Sequence, residues 1–145
     1  MKNVNESGRS MVEMLGVLAI IGVLSIGGIA GYTLAMNRYR ANEILNAASM
    51  VAIEGISRGA TNDPAGVNVT YQSLGGTLPT GATAISSDGE GVVTITIDAD
   101  YADVGTLINQ MAGDRMTAEC PAAGGNCTYD SKAATRANAA VGEGN

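Results

Sequence analysis

Few residues in this chain are grouped in a way that could do chemistry, and histidine, the commonest catalytic base, is missing. There is no histidine among its 145 residues, so imidazole general-base chemistry and His-ligated metals are absent. No nucleophile and base can be paired from what remains, which argues against an enzyme and implies no cofactor. Gly75-Gly76 lacks the spacing and the following lysine of a phosphate-binding loop. What is left is one carboxylate at the edge of an apolar run (Glu13), two cysteines (Cys120 and Cys127), and three clustered carboxylates (Asp98, Asp100 and Asp103).

Glu13 takes its meaning from the apolar run beside it. Residues Met14 to Asn37 contain no charged side chain, and at roughly 1.5 Å per helical residue this stretch spans about 36 Å, enough to cross the hydrocarbon core of a bilayer. The run therefore reads as a membrane-spanning helix. An unpaired carboxylate at its edge costs several kcal/mol in lipid, so Glu13 must either reach the interface or meet a cation. Ahead of it, Met1 to Gly8 is a short polar stretch carrying only Lys2 and Glu6. A secretory signal has the opposite order, apolar core first and cleavage site second; cleavage after Gly8 would leave the apolar helix on the mature chain.

Gly8, Arg9, Ser10-Met11-Val12-Glu13 and the apolar helix after them resemble the class III signal of type IV pilins and type II secretion pseudopilins. The resemblance implies that a prepilin peptidase cuts after Gly8 and methylates the new N-terminus at Arg9. It also implies that Glu13, fifth from the cut, is the assembly residue that meets the N-terminal amine of a neighbouring subunit. The physics agrees, because cleavage creates a cation beside lipid and Glu13 is an anion that needs one. Arg9 departs from the Phe or Met usual in the family. On a continuous helix Arg9 and Glu13 are i and i+4 neighbours, so the guanidinium could neutralise Glu13 within one chain; both readings stand at this stage. Such a subunit sits first in the inner membrane as a single-pass protein with its globular domain in the periplasm, then joins an extracellular helical filament of identical copies. Its expected partners are membrane lipid, the prepilin peptidase, the pilus assembly machinery and other copies of itself.

Within the apolar run Gly16, Gly22, Gly27, Gly28 and Gly31 interrupt Leu, Ile, Val and Ala. Gly27 and Gly31 form a small-xxx-small pair that lets helices approach closely, and each glycine costs roughly 1 kcal/mol of helix propensity against alanine. Ordinary membrane-helix composition and packing between subunits both account for Gly22, Gly27 and Gly31. Beyond the run, Ala41, Ile44, Leu45, Ala48, Val51, Ala52 and Ile56 recur at three- and four-residue steps, with Arg40, Glu43, Asn46, Glu54 and Ser57 opposite. This spacing predicts one helix from about Ser10 to Arg58 with Gly59 as its C-cap. The expected organisation is a leader at 1–8, a transmembrane and assembly half at 9–37, an amphipathic half at 38–58 and a small globular domain at 59–145.

That domain lacks Phe and Trp and must build its core from Val, Ile, Leu, Ala and Met, so it gains from a staple or from neighbours. Gly59 to Gly91 reads as a loop-dominated connection, with a helical turn at Tyr71 to Leu74 and with Leu78 and Ile85 pinning it to the core. Val92 to Ile97 predicts a strand with Val93, Ile95 and Ile97 on one face; Asp88-Gly89 predicts a hairpin to a partner near Ala82 to Ser86. Asp98 or Asp100 caps a short helix from Tyr101 to Met111, on which Val104, Leu107, Ile108 and Met111 share a face and which Gly113 ends. Clustered carboxylates also suit calcium, but a cap and a solvated acidic turn account for them. Arg115 to Glu119 is a further candidate strand. The fold class is α+β: a long N-terminal helix packed on a small antiparallel sheet. This order resembles type IVb pilins, in which a cysteine often lies near the position of Asp103; here there is none.

Export would place Cys120 and Cys127 in an oxidising compartment and favour a disulfide enclosing Pro121 to Asn126; a two-cysteine metal site is the competing reading. The tail from Ser131 has no apolar period, and only Ala133 to Ala140 could form a surface helix. From Ala41 onward four basic residues face twelve acidic ones, a formal balance of −8. Nucleic-acid binding rests on clustered Lys and Arg, so that balance argues against it.

Overall fold

The computed structural model describes residues 6–60 and 68–132. The first helix, α1, runs from Glu6 to Ala60. It begins four residues before the expected start, and it passes through Gly59 where a cap was expected. Strands β1 (Val69–Thr70), β2 (Ala82–Ser87) and β3 (Val92–Ile97) come next, then helix α2 (Ala102–Ala112), then β4 (Met116–Ala118) and β5 (Gly125–Asp130). The chain divides into two compact units, Met1–Met36 and Asn37–Asn145. Over its described residues the first unit is helix alone.

In the second unit the five strands form one antiparallel sheet in the order β1-β2-β3-β5-β4. Asp88 makes the β2–β3 turn: its Oδ1 accepts from the backbone N–H of Glu90 at 2.9 Å and of Val92 at 3.1 Å, and Gly89 supplies a φ of 84°. The register sets Ile95 opposite Ile85 on one side and Cys127 on the other, and Val93 opposite Ser87 and Tyr129. All of these are buried. Successive strand residues alternate faces, so Thr94, Thr96 and Thr128 fall together on the other side of the sheet, where they are half-exposed. Thr117 on β4 donates its hydroxyl to Thr128 Oγ1 at 2.9 Å across that face.

The apolar face meets both helices. Ala41, Ile44, Ala47, Ala48, Val51 and Ala52 of α1 and Val104 and Ile108 of α2 join Ile85, Val93, Ile95 and Ile97 in one core. Four of the six α1 residues are alanine, which lets the helix backbone lie close to the sheet. It lies closest at Gly55 and Gly59: a Cβ on Gly55 would strike the Ser87 hydroxyl, and one on Gly59 would strike the carbonyl oxygen of Gly89. Gly59 is therefore required by the approach of the β2–β3 turn rather than by a helix stop. Met111 also departs from expectation. It lies at the solvent edge of α2, 42% exposed, while Val104 and Ile108 are fully buried.

The largest departure is β5. The region of the second cysteine reads in sequence as a stapled loop, yet Gly125–Asp130 is an inner strand between β3 and β4. Gly125 and Asn126 depress its strand propensity, and it forms because β3 offers six paired positions from Val92 to Ile97. The expected turn at Tyr71 to Leu74 is a 3-10 turn over Gln72–Leu74, the strand expected from Arg115 to Glu119 is the short edge strand β4, and Gly113 ends α2 with a φ of 52°. The expected surface helix at Ala133 to Ala140 lies outside the described residues.

Candidate functional site

The first candidate is the apolar half of α1. Gly8 and Arg9 lie within the first turn of the helix backbone, so Arg9 and Glu13 stand one turn apart on a continuous helix. Glu13 is exposed on the helix surface and has an interaction of its own. From there to Met36 the helix presents apolar side chains on every side: large ones between Met11 and Leu34 range from 51% exposed at Leu34 to 74% at Ile26. The most apolar 18-residue window has a mean hydropathy of 2.2, and none of it is buried by the other described residues. Such a helix serves as a membrane anchor or a signal sequence. Its few polar side chains turn inward on the helix itself: Ser25 Oγ donates to the Ile21 carbonyl at 2.7 Å and Thr33 Oγ1 to that of Ala30 at 2.9 Å. Hydroxyls satisfied in this way can lie in lipid without a partner.

The glycines of this half are not explained by the chain. A Cβ added at Gly16, Gly22, Gly27, Gly28 or Gly31 would meet nothing within 4 Å. Each costs roughly 1 kcal/mol of helix propensity against alanine, and no contact among the described residues uses the space.

The second candidate is the cysteine region. Cys120 and Cys127 form a disulfide and are 5% and 1% exposed. Asn109 of α2, which sequence reasoning missed, grips the backbone of Cys120 from both sides. Its Oδ1 accepts from the Cys120 N–H at 2.7 Å, and its Nδ2 donates to the Cys120 carbonyl at 3.0 Å. Only a side chain with an acceptor and a donor on one carbon can close that ring, but no spacing rule links positions 109 and 120. Gly105 passes beside the same cysteine, where a Cβ would come 3.1 Å from that of Cys120. Together these contacts fix α2 to the closed loop.

Asp98 accepts from the Asp100 N–H at 3.0 Å and caps the 3-10 turn Ala99–Tyr101 that leads into α2. Asp100 and Asp103 are exposed beyond it. Among the described residues no three His, Cys, Asp or Glu side chains are grouped to hold a metal ion. Arg40 of α1 lies over the Tyr101 ring, 5.1 Å from its centroid, and joins the helix to the same corner.

A third feature was not visible in sequence. Between α1 and the C-terminal end of α2 lies a groove of about 220 Å³ whose lining includes Asn46, Ser49, Met111, Arg115 and Tyr129. Arg115, itself exposed, lines it and donates from Nη1 to the Tyr129 hydroxyl at 3.2 Å. No family model, curated protein or solved structure matches the chain.

Proposed function

We propose that this chain is the structural subunit of a type IV pilus filament, without catalytic activity of its own. A prepilin peptidase cuts it after Gly8, and the mature chain starts at Arg9. The apolar half of α1 holds it in the inner membrane with the second unit on the periplasmic side, until the assembly machinery moves it into a surface fibre used for adhesion, motility or contact between cells. Glu13 pairs there with the Arg9 amine of a neighbouring copy. The observation that carries this reading is the apolar half of α1, covered by none of the described residues and set with five glycines that no contact among those residues requires. Apolar helices from many copies, packed through Gly22, Gly27 and Gly31, use both properties at once.

The test is an intact mass on protein recovered separately from sheared surface material and from membranes. Chains starting at Arg9 in the sheared fraction support a processed pilin, and an added methyl there identifies the modified amine. Processed chains confined to membranes point instead to a pseudopilin of a secretion system. Full-length chains starting at Met1 sink both readings and leave a single-pass anchor carrying a binding module, with Glu13 neutralised in cis by Arg9. Glu13→Leu should remain membrane-held and processed yet be missing from sheared fibres; normal fibre yield from it would remove the assembly role.

A further inference from the structure

The groove is lined by one charged side chain, the exposed Arg115. Arg58 is paired with Glu54 at 2.8 Å, and Arg40 is engaged with Tyr101 and Asn37. Arg115 has the Tyr129 hydroxyl as its partner and no carboxylate among the described residues. A guanidinium has five N–H donors, and since Arg115 is exposed several of them face solvent, where a partner can reach them. A carboxylate pair matches that fork, and a bidentate contact is its strongest form.

This unit also carries carboxylates in surplus. Asp98 is committed to its cap, whereas Asp100 and Asp103 are exposed, three residues apart, with no hydrogen bond or ion pair on their side chains among the described residues. They sit at the start of α2, and Arg115 lies just past its end. The eleven residues of α2 separate the two sites by about 16 Å. A chain with acid at one end of a short helix and an unmatched cation at the other is complementary to itself head to tail. Such a contact closes on itself where two copies lie antiparallel, and propagates as a ring or a helical array where the copies follow one another head to tail; the filament reading selects the helical array.

Resting on the filament reading, we propose that the groove lined by Asn46, Ser49, Met111, Arg115 and Tyr129 receives the Asp100/Asp103 corner of a second copy of this chain. The contact sets the register between neighbouring outer units, separately from the packing of the apolar helices. Opposite charges at this place also exclude a copy docked in the wrong orientation, since Arg would then face Arg.

The experiment uses the full chain in cells. R115E and the pair D100R/D103R should each lower the yield of sheared fibres by at least about tenfold, and the three changes combined should restore most of it. In all variants the chain should stay membrane-held and disulfide-bonded, which separates an interface effect from misfolding. A second measurement needs no loss of function. R115K places an amine in the groove, and zero-length carbodiimide coupling on intact fibres should join it to Asp100 or Asp103. Because α2 separates these positions within one chain, such a product must be intermolecular. Normal fibre yield from R115E, failure of the combined variant to restore fibres, or carbodiimide products that leave out both aspartates would each overturn the proposal while leaving the Glu13 reading intact. Absence of fibres from the unaltered chain would overturn both.

Discussion

Gly55→Ala should destabilise the second unit, although alanine is the better helix former. At an open helix position the change gains roughly 0.8–1 kcal/mol. Gly55 is not open. A new Cβ would overlap the Ser87 hydroxyl, lie 2.8 Å from the Ser87 Cβ and sit 3.6 Å from the Gly89 Cα. Ser87 is 2% exposed, and its Oγ accepts from the Gly89 N–H at 3.2 Å, so it cannot turn away without leaving that donor unmet. The alternative is to lift α1 off the sheet and open the core beside Val51 and Ala52. Overpacking of this kind costs about 1–3 kcal/mol and the lost hydrogen bond about 1 kcal/mol more, so the cost exceeds the propensity gain by about 1–3 kcal/mol.

The assay is urea unfolding of the oxidised, detergent-held chain. With no Trp, tyrosine emission reports on this unit through Tyr71, Tyr101 and Tyr129. The midpoint should fall without a change in slope, since the surface exposed on unfolding is nearly unaltered. The cycle with Ser87→Gly identifies the cause. Removing the obstacle should recover most of the loss, with a coupling of about 1–2 kcal/mol between the two sites. A Gly55→Ala chain as stable as the original, or a cycle with no coupling, would refute the close-approach argument.

The Cys120 region supports two more tests. Asn109→Ala leaves the Cys120 N–H and carbonyl unpartnered in a residue 5% exposed, and should cost about 2–3 kcal/mol in the same urea assay; Asn109→Asp keeps the acceptor and should cost less. Replacing Cys120 and Cys127 together by serine should cost about 2 kcal/mol, low in the usual range because the closed loop is short. Combined with Asn109→Ala, the total should differ from the sum by at least about 0.5 kcal/mol, since both act on the position of residue 120.

How far sequence reading reaches here depends on whether a residue's role is local. Period-two alternation places Val93, Ile95 and Ile97 in the core, and period-3.6 spacing places Ala41, Ile44, Ala48, Val51 and Ala52 there. Asp88-Gly89 marks its turn and Asp98 its cap. Strand β5 is hidden because its pairing is supplied by β3, some thirty residues away, while its own Gly125 and Asn126 speak for a loop. Asn109 is hidden for a related reason: its partners are backbone groups eleven residues on, brought near only when α2 and the disulfide loop close together. The Arg115 groove likewise draws on α1, α2 and β5, and no window of sequence contains it.

The glycines show why the candidate site divides in the same way. Gly27 and Gly31 have the same small-xxx-small spacing as Gly55 and Gly59, yet the structure accounts for only the second pair, which makes room for Ser87 and the Gly89 carbonyl. In the first pair the room is made for none of the described residues of this chain. A glycine that weakens a helix and admits no neighbour from its own chain is a cost without a return inside one molecule, and lipid alone does not require it, since tails pack against alanine as well as against glycine. The proposed filament supplies a surface closer and more rigid than a lipid tail. An apolar helix of a second copy is such a surface, and a helix exposed on every side between Met11 and Leu34 can meet several of them at once. The second unit keeps its own core, whereas the apolar half of α1 has no such packing among the described residues.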